Sequence, residues 1–454
     1  MALVKPLKYQ QYSLANFRKI KQLKSLPEKR LKELEVVANV LPFKTNNYVI
    51  NQLINWDKVP NDPLFTLNFP QKDLLHKRHF TQMEKLIKDN ADPKKIKETA
   101  DKIRLQLNPH PAGQMEYNVP KVDGKPLEGM QHKYEETALF FPSQGQTCHA
   151  YCLFCFRWAQ FVGIEKLKFA AQETEKLVKY ISKHPKITDI LFTGGDPMIM
   201  NVEFLETYIR PLLESKLPNL KSIRIGTRSI SYWPYRYLTD KDSKKVLKLF
   251  TDIIDSGKHL AIMAHFNHPR ELDTPAVQAA IEKVRETGAI IRTQSPLVKH
   301  INDDSKLWVE MWKKQISLGC IPYYMFVARD TGAQHYFGVP LYKAWKIFKN
   351  AYEHVSGLAR TVRGPSMSCE SGKVQVVGVQ NIKKQKVFVL RFLQGRNPDW
   401  VDRPFFAKFD PEAEWMSDLK PVFKDKFFFE DDYNAIVSKM KKNKTHTSDS
   451  FLHL

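Results

Sequence analysis

The sequence predicts an α/β protein built around a partial (β/α)6 barrel, with a helical amino-terminal lobe and a small β-containing carboxy-terminal piece. Three observations support this prediction. Short apolar runs alternate with amphipathic segments from about residue 137 onward, whereas residues 1–125 carry charged amphipathic stretches broken by prolines. Repeated strand–helix units specify a parallel sheet with crossover helices. Polar and glycine-rich motifs follow the apolar runs directly, where the active sites of such barrels lie.

The lobe comes first. Residues 28–40 and 72–90 space their apolar side chains as helices do, and prolines separate such stretches. We therefore predict a helical lobe over residues 1–125.

The barrel is predicted over residues 126–345. Its strands are expected at the apolar runs 138–141, 187–192, 222–226, 260–264, 290–294 and 323–327. Its helices are expected at the amphipathic segments 171–184, 202–213, 243–256 and 274–287. Each strand should end in a motif that faces the site.

The carboxy-terminal region is predicted over residues 346–435. After a further helix it carries two β-rich runs, 374–379 and 386–392. Residues 436–454 are polar and basic, so we expect a disordered tail.

Composition limits the function classes. An apolar fraction of 43% and a charged fraction of 26% are typical of a soluble globular protein, and no apolar run is long enough to span a bilayer. The net charge of +22 could attract nucleic acid, but no RNA-binding signature accompanies it. Five cysteines without a secretory leader or a regular spacing predict a reducing compartment, the cytoplasm.

Residues 148–155 read Cys-His-Ala-Tyr-Cys-Leu-Phe-Cys, which places Cys148, Cys152 and Cys155 in a C-x₃-C-x₂-C pattern. Three thiolates can hold three irons of a [4Fe–4S] cluster and leave the fourth iron open to a substrate or cofactor. The alternative is an incomplete zinc site with His149 as the fourth ligand. Zinc sites usually draw ligand pairs from two separated knuckles, and the sequence has no second C-x₂-C.

Five segments in collinear order resemble the lysine 2,3-aminomutase family of radical S-adenosylmethionine (SAM), pyridoxal phosphate (PLP) enzymes. The resemblance runs from about Lys133 to Phe409 and implies that SAM occupies the open iron of the cluster. The segments are residues 148–163, Leu-Phe-Thr-Gly-Gly-Asp-Pro at 191–197, Arg-Ile-Gly-Thr-Arg at 224–228, His-Phe-Asn-His-Pro at 265–269, and Gln294-Ser with Ile301-Asn-Asp303.

For SAM, the resemblance implies a role for the turn Gly194-Gly195-Asp196, whose glycines allow close approach of the backbone to a ligand. It also implies that His265 and Gln294, on the fourth and fifth strands, face the cofactors. Taken singly, either could be a core polar group with a backbone partner.

For PLP, the resemblance assigns the covalent lysine to Lys373, at the end of a loop of small residues. The family's run of glycines is replaced here by Ser-Met-Ser-Cys-Glu-Ser, and the alternative is an ordinary surface lysine. Lys133 and Tyr134 stand where the family carries a basic–aromatic pair that contacts the cofactor phosphate. Lysine can neutralise a phosphate without the bidentate fork of arginine.

For the substrate, the resemblance implies that Arg157 grips the α-carboxylate. Arg329 and Arg363 align with two aspartates that receive the distal ammonium group in lysine-specific members. Two cations there would repel lysine and attract a distal carboxylate, which predicts glutamate or aspartate as substrate. Alternatively, Arg329 pairs with Asp330, or Ser366 rather than Arg363 occupies the second position.

The function implied is therefore a radical SAM 2,3-aminomutase that moves an α-amino group to C3, on an acidic amino acid or, alternatively, on lysine. Its cofactors would be a [4Fe–4S] cluster, SAM and PLP. Its partners would be a small-molecule amino acid and an external one-electron reductant; a membrane and nucleic acid are not expected, and a homo-oligomer is left open. The alternative from another class is radical SAM modification of tRNA or of a protein.

Overall fold

Helices dominate the amino-terminal lobe. The computed structural model describes residues 5–113, 115, 117–164 and 167–445. The lobe contains strands β1 (Gln11–Ser13) and β2 (Lys44–Asn46), which pair antiparallel, and helices α1 (Glu28–Ala38), α2 (Pro63–Asn68), α3 (Lys77–Lys88) and α4 (Pro93–Leu105). A short hairpin, β3 (Lys121–Val122) with β4 (Lys125–Pro126), leads out of it.

Asp62 joins the lobe to the rest of the chain. Its Oδ1 accepts hydrogen bonds from the backbone N–H groups of Leu64 and Phe65, at 3.0 and 2.9 Å, which caps α2 behind the first-turn Pro63. Its Oδ2 lies 2.5 Å from an Nη2 of Arg270, more than two hundred residues further along the chain. The cap and the ion pair fix the lobe against the sheet domain.

The central sheet contains the six predicted strands, side by side and parallel. They are preceded by an antiparallel edge strand, β5 (Met130–Tyr134). The parallel strands are β6 (Thr137–Phe140), β7 (Asp189–Phe192), β8 (Ser222–Thr227), β9 (His259–His265), β10 (Ile290–Leu297) and β11 (Ile321–Val327). Because the six strands are parallel neighbours, their carboxyl ends all lie at one edge of the sheet. The closure of this sheet into a partial barrel stays a prediction.

Helices connect these strands. They are α5 (Thr174–Lys183), α6 (Val202–Glu214), α7 (Ser229–Tyr232), α8 (Ser243–Asp255), α9 (Pro275–Glu286), α10 (Ser305–Ser317), α11 (Gln334–Phe337) and α12 (Leu341–Glu353). In α8, Val246, Leu249, Phe250 and Ile253 are buried, which is the i, i+3, i+4, i+7 stripe of a helix that covers a sheet. Within the described residues, no helix is long and apolar enough to cross a membrane.

The carboxy-terminal region carries β-strands, and these strands continue the same sheet. They are β12 (Arg363–Ser368), β13 (Gly372–Ile382), β14 (Gln385–Gly395) and β15 (Pro404–Lys408). Strand β12 pairs parallel with β11, and the next three strands are antiparallel. This continuity carries Lys373, the second residue of β13, toward the parallel strands.

The last described helix, α13 (Glu430–Thr445), corrects the prediction of a disordered tail from residue 436. The Tyr433 hydroxyl donates to a Glu370 carboxylate oxygen at 2.6 Å, and Tyr433 and Ile436 pack against the apolar core of the carboxy-terminal strands. These contacts hold the helix in place, so residues 436–445 are helical. Residues 446–454 of the predicted tail lie outside the described residues.

Candidate active site

A cavity of about 370 Å³ opens at the carboxyl ends of the parallel strands, within the size range of small-molecule sites. Each strand contributes side chains or backbone at its end. The sequence-predicted residues that line the cavity are Cys148, Cys152, Cys155, Arg157, Lys133, Tyr134, Gly194, Gly195, His265, Gln294, Arg329 and Lys373. Two predicted site residues, Asp196 and Arg363, are not among its lining residues.

The cysteine loop follows β6 and is held from the lobe. The backbone N–H of Tyr151 donates to the carbonyl of Lys44 at 2.8 Å, and that of Leu153 donates to the carbonyl of Leu67 at 3.0 Å. Within the loop, the N–H of Cys155 donates to the Cys152 carbonyl at 2.9 Å. These bonds fold the loop so that all three sulfur-bearing side chains line one cavity.

The three cysteines are half-buried, and desolvation raises the pKa of each thiol, to about 12 for Cys155. Three adjacent thiolates in such a site need positive charge close by, and iron ions supply it when a cluster binds. The donor set, three thiolates facing one cavity, therefore fits a [4Fe–4S] cluster with one iron free of protein ligands.

The zinc alternative finds no support. His149 does not line the cavity; its ring stacks over Trp233 with centroids 6.5 Å apart, and burial lowers its pKa to about 3.

The turn after β7 is packed on the cysteine loop. A Cβ on Gly194, whose φ is +140°, would lie 2.3 Å from the Gln146 side chain, and one on Gly195 would lie 2.5 Å from backbone atoms of Thr147. Side chains at either position would displace the loop. The glycines line the cavity as predicted, and they are also required for the contact between the turn and the loop.

Asp196 fastens the ends of two neighbouring strands to each other. Its carboxylate accepts hydrogen bonds from the Thr227 hydroxyl at 2.7 Å, the Arg228 N–H at 2.8 Å and the Met198 N–H at 2.9 Å. Its own N–H donates to the Thr147 carbonyl at 2.7 Å. These bonds hold the Asp196 side chain away from the cavity. Asp196 would therefore contribute to cofactor binding indirectly, by fixing the position of Gly194 and Gly195.

His265, the last residue of β9, and Gln294, within β10, are register partners on neighbouring strands. The His265 ring stacks on Phe154 of the cysteine loop, with centroids 6.0 Å apart, and its buried Nε2 has no hydrogen-bond partner within the described residues. Burial lowers the pKa of His265 well below its ordinary value. A neutral imidazole in this position can accept or donate one hydrogen bond to a ligand.

Lys373 lies in the same cavity as the cysteines. Its Nζ donates to Gln394 Oε1 at 3.1 Å and lies 4.2 Å from the centroid of the Tyr324 ring. Burial, followed by the charges of Arg363 and Arg224, lowers the pKa of Lys373 to about 7. A half-buried amine with a lowered pKa is suited to attack an aldehyde.

Lys133 and Tyr134 line the cavity beside the hairpin that carries Lys373. The Lys133 ammonium donates to the Cys369 carbonyl, and the nearby charges of Arg396 and Arg329 add to burial in lowering its pKa. Three cations near one another would attract a multiply charged anion such as a phosphate. The residues present thus fit PLP: Lys373 offers an amine for its aldehyde, and the cations around Lys133 offer a place for its phosphate.

Within the described residues, the Arg157 guanidinium forms no ion pair with a carboxylate. Its side chain is 4% exposed, and its Nε and Nη2 have no hydrogen-bond partner within the described residues. It stacks over the ring of Phe141 at 4.4 Å, and burial lowers its pKa to about 10. Leaving N–H donors of a buried cation unpaired is costly, so this position is suited to receive a carboxylate.

We expect Arg157→Met to raise the free energy of unfolding of the cluster-free, substrate-free protein by about 1–3 kcal/mol, because it removes an unpaired buried charge. The same variant should lower kcat/KM about a hundred-fold or more in the reconstituted enzyme. Denaturant unfolding and steady-state kinetics measure the two effects. Arg157→Lys is the charge-retaining control; an unchanged stability and kcat/KM in Arg157→Met would exclude this role.

Arg329 and Arg363 occupy different places. Arg329 lines the cavity, stacks over Phe156 at 4.9 Å and has a buried, unpartnered Nε. The described contacts include no ion pair between Arg329 and Asp330, although the Asp330 charge does favour its charged form. Arg363 lies outside the cavity and stacks over Tyr323 and Tyr324 at 4.5 and 4.3 Å, so direct substrate contact by Arg363 is not supported. Ser366 does not line the cavity either.

Several cavity residues were not assigned a role from the sequence. Gln394 is the cross-strand partner of Lys373, which only the register of β13 and β14 reveals. Arg224 pairs with Asp189 across β8 and β7, with 2.8 Å between Arg224 Nε and Asp189 Oδ1. Arg228, bound to Glu271 at 3.0 Å, favours the thiolate form of Cys152. The alternation of side chains between the two faces of β8 could have predicted that both arginines lie near the cavity, since each lies in or beside that strand.

No family model matches the chain. A protein of Aquifex aeolicus (strain VF5) named "Putative L-lysine 2,3-aminomutase" is 31% identical over 400 residues, which cover 88% of this chain and 93% of that protein. The chain belongs to the lysine 2,3-aminomutase family. The L-lysine 2,3-aminomutase of Clostridium subterminale is 25% identical over 59% of this chain and 60% of its own length.

Among solved structures, a radical SAM methyltransferase from Sphaerobacter thermophilus covers 52% of this chain and 68% of its own, with a TM-score of 0.37 and 16% identity. A likeness of this size supports no conclusion about the chain. Membership of the lysine 2,3-aminomutase family confirms the resemblance seen in the sequence and makes the protein a radical SAM enzyme. The family implies a [4Fe–4S] cluster and SAM, which agrees with the donor set of the cysteine loop.

Proposed function

We propose that the protein is a PLP-dependent 2,3-aminomutase that moves the α-amino group of a free amino acid to the neighbouring carbon. One observation carries the proposal: the cluster cysteines, the low-pKa Lys373 and the unpaired Arg157 all line a single cavity. A cluster, a reactive amine and a carboxylate receptor in one site are what a radical rearrangement of an amino acid requires.

In this proposal Cys148, Cys152 and Cys155 hold the cluster, and Lys373 holds PLP with Lys133 near its phosphate. When bound, the cluster supplies the electron that cleaves SAM to a radical, and PLP supplies the carbonyl that holds the migrating nitrogen.

The protein's own residues position the substrate. Arg157 would bind the α-carboxylate in bidentate fashion, which fixes the two carbons between which nitrogen moves. Phe154 and Phe156, both on the cysteine loop, give the cavity apolar surface. Gln394 holds the Lys373 amine at 3.1 Å, so the amine stays oriented when it is released by the incoming substrate nitrogen.

The first candidate substrate is lysine, since the names of the curated relatives all state lysine as substrate. The second candidate is an acidic amino acid, and a specific observation favours it. Within the described residues, none of the cavity-lining side chains is an aspartate or a glutamate, while Arg329 offers an unpartnered N–H there. A desolvated lysine ammonium would lack a counter-ion among these side chains.

The two candidates predict opposite effects of Arg329. If the acidic substrate is correct, Arg329→Gln lowers kcat/KM for glutamate or aspartate about a hundred-fold and leaves lysine turnover unchanged or higher. The measurement is anaerobic conversion of ¹⁵N-labelled glutamate, aspartate and lysine by protein reconstituted with iron, sulfide, SAM and PLP, followed by NMR.

Arg360, exposed and outside the cavity, provides the matched control, Arg360→Gln. β-Lysine as the sole product of the unaltered protein would reject the acidic substrate and support the first candidate. If the cluster cleaves SAM but no free amino acid reacts, the proposal of a free amino-acid substrate is rejected in favour of a polymer, a tRNA or a protein. The cytoplasmic location stays a prediction.

A further inference from the structure

The cysteine loop is covered from outside by the first residues of the chain. The Tyr9 hydroxyl donates to the carbonyl of His149 at 2.8 Å, and Asn46 Nδ2 donates to the same carbonyl at 3.1 Å. Because His149 follows Cys148 directly, the segment that carries Tyr9 lies one residue away from a cluster ligand. Residues 5–27, which include this segment, are called the basic cover below.

The basic cover carries cations only. Its charged residues, all exposed, are Lys5, Lys8, Arg18, Lys19, Lys21 and Lys24. The sequence has no aspartate or glutamate before Glu28, so none lies within the basic cover. Arg18 pairs with Glu28 and Glu35, both at 3.1 Å, whereas within the described residues no ion pair involves Lys5 or Lys8. The acidic group on the element that Tyr9 contacts is Asp240, which accepts a hydrogen bond from Trp233 Nε1 at 3.1 Å. A surface of one sign steers partners of the opposite sign.

An aromatic contact links this surface to the loop. Tyr9, partly exposed, makes edge contacts with His149 and Trp233, with ring centroids 5.8 and 4.8 Å apart. The His149 ring also stacks on Trp233 at 6.5 Å. The Tyr9 side chain thus lies between solvent and His149, the residue next to Cys148. An electron donor seated on the basic cover would stand close to the cluster site, and electron transfer requires such closeness.

We propose that the basic cover docks an acidic one-electron carrier protein that reduces the cluster. One electron leaves the reduced carrier and enters the cluster, and no covalent bond forms between the proteins. The inference rests on the proposed function, because only a cluster that must be brought to its reduced state before SAM can be cleaved needs such a partner. The carrier is defined by its chemistry: a one-electron cofactor near an acidic face.

The experiment compares two double variants of the full-length reconstituted protein. Lys5→Glu with Lys8→Glu changes the basic cover beside Tyr9. Lys216→Glu with Lys221→Glu changes net charge equally, but these exposed residues lie between α6 and the start of β8, at the opposite edge of the parallel sheet from the cysteine loop. The probe is a reduced acidic flavodoxin, and the readout is the stopped-flow rate of cluster bleaching at low and high ionic strength.

We expect the cover variant to be reduced about tenfold more slowly by flavodoxin at low salt, and the control at the unaltered rate. High salt should slow the unaltered protein toward the cover variant, since it screens exposed charges. Dithionite, a small reductant, should reduce all three proteins equally. The pair Lys5→Gln with Lys8→Gln should give an intermediate rate, which guards against a folding defect in the glutamate variant.

Equal flavodoxin rates for the cover variant and the control, or no salt dependence, would overturn the docking site. The docking site would also be rejected if the basic cover binds RNA and flavodoxin reduces the cover variant at the unaltered rate. By contrast, a cluster that dithionite cannot reduce, or that supports no SAM cleavage, would refute the proposed function itself. The two failures are therefore distinguishable.

Discussion

Replacing Lys373 with alanine abolishes covalent attachment of PLP and lowers turnover by about three orders of magnitude or more, because no other amine is held at that point of the cavity. Borohydride treatment of the PLP-loaded protein fixes the cofactor to its lysine, and peptide mass spectrometry identifies the labelled residue. The unaltered protein should be labelled at Lys373, and Lys373→Ala should not be labelled.

Two controls test the assignment. Lys373→Arg keeps a positive charge but removes the reactive amine, so it should behave as the alanine variant does. Lys386→Ala removes an exposed lysine at the far end of the same hairpin and should retain both label and turnover. A label on Lys133, which lines the same cavity, would contradict the assignment of Lys373.

The pH dependence of PLP attachment follows from the depressed pKa. Since the folded protein holds the pKa of Lys373 at about 7, the amine is charged below that pH and neutral above it. Attachment should therefore rise through pH 7 and level off above about pH 8, whereas an ordinary lysine would continue to gain reactivity up to about pH 10. Arg363→Gln removes a charge that lowers this pKa and should move the profile to higher pH.

Cys152→Ala removes one cluster ligand and should eliminate SAM cleavage, the second of the largest expected effects. With two thiolates left, the site cannot hold a cluster that keeps a single open iron. We expect loss of bound iron and of the broad brown absorbance after anaerobic reconstitution, and a fall in 5′-deoxyadenosine production to background.

Cys320→Ala is the matched control, because Cys320 is buried in the core next to β11 and does not line the cavity. It should lose about 1 kcal/mol of stability through the smaller side chain and keep its iron. Full iron content and SAM cleavage in Cys152→Ala would mean that the loop does not hold the cluster.

The strands and most helices of the parallel sheet could be predicted because each apolar run is short and each intervening helix shows a clear stripe. Helix α10 was not identified, although the buried Trp308, Met311, Trp312 and Gln315 have the spacing of such a stripe. Its tryptophans and lysines make the polar face less distinct than in α8.

Some features of the candidate site could likewise be predicted from the sequence, and others could not. Cysteine spacing is local information, so the sequence alone places all three thiols correctly in the loop that the structure shows lining the cavity. The contact of Lys373 with Gln394 and the removal of Arg363 from the cavity depend on how β12, β13 and β14 join the sheet. Non-local strand pairing leaves no short-range pattern, so the sequence does not reveal that Arg363 stacks on Tyr323 and Tyr324, two residues that line the cavity.

The position of the Lys373 hairpin at the end of the parallel strand order has a consequence for biosynthesis. A nascent chain emerges from the ribosome amino terminus first, so the segment with the thiols is available for folding long before the lysine is translated. A polypeptide arrested after β11 contains Cys148, Cys152 and Cys155 but not Lys373. Under the proposed function, the segment that holds the cluster can therefore fold before the residue proposed to bind PLP has been translated.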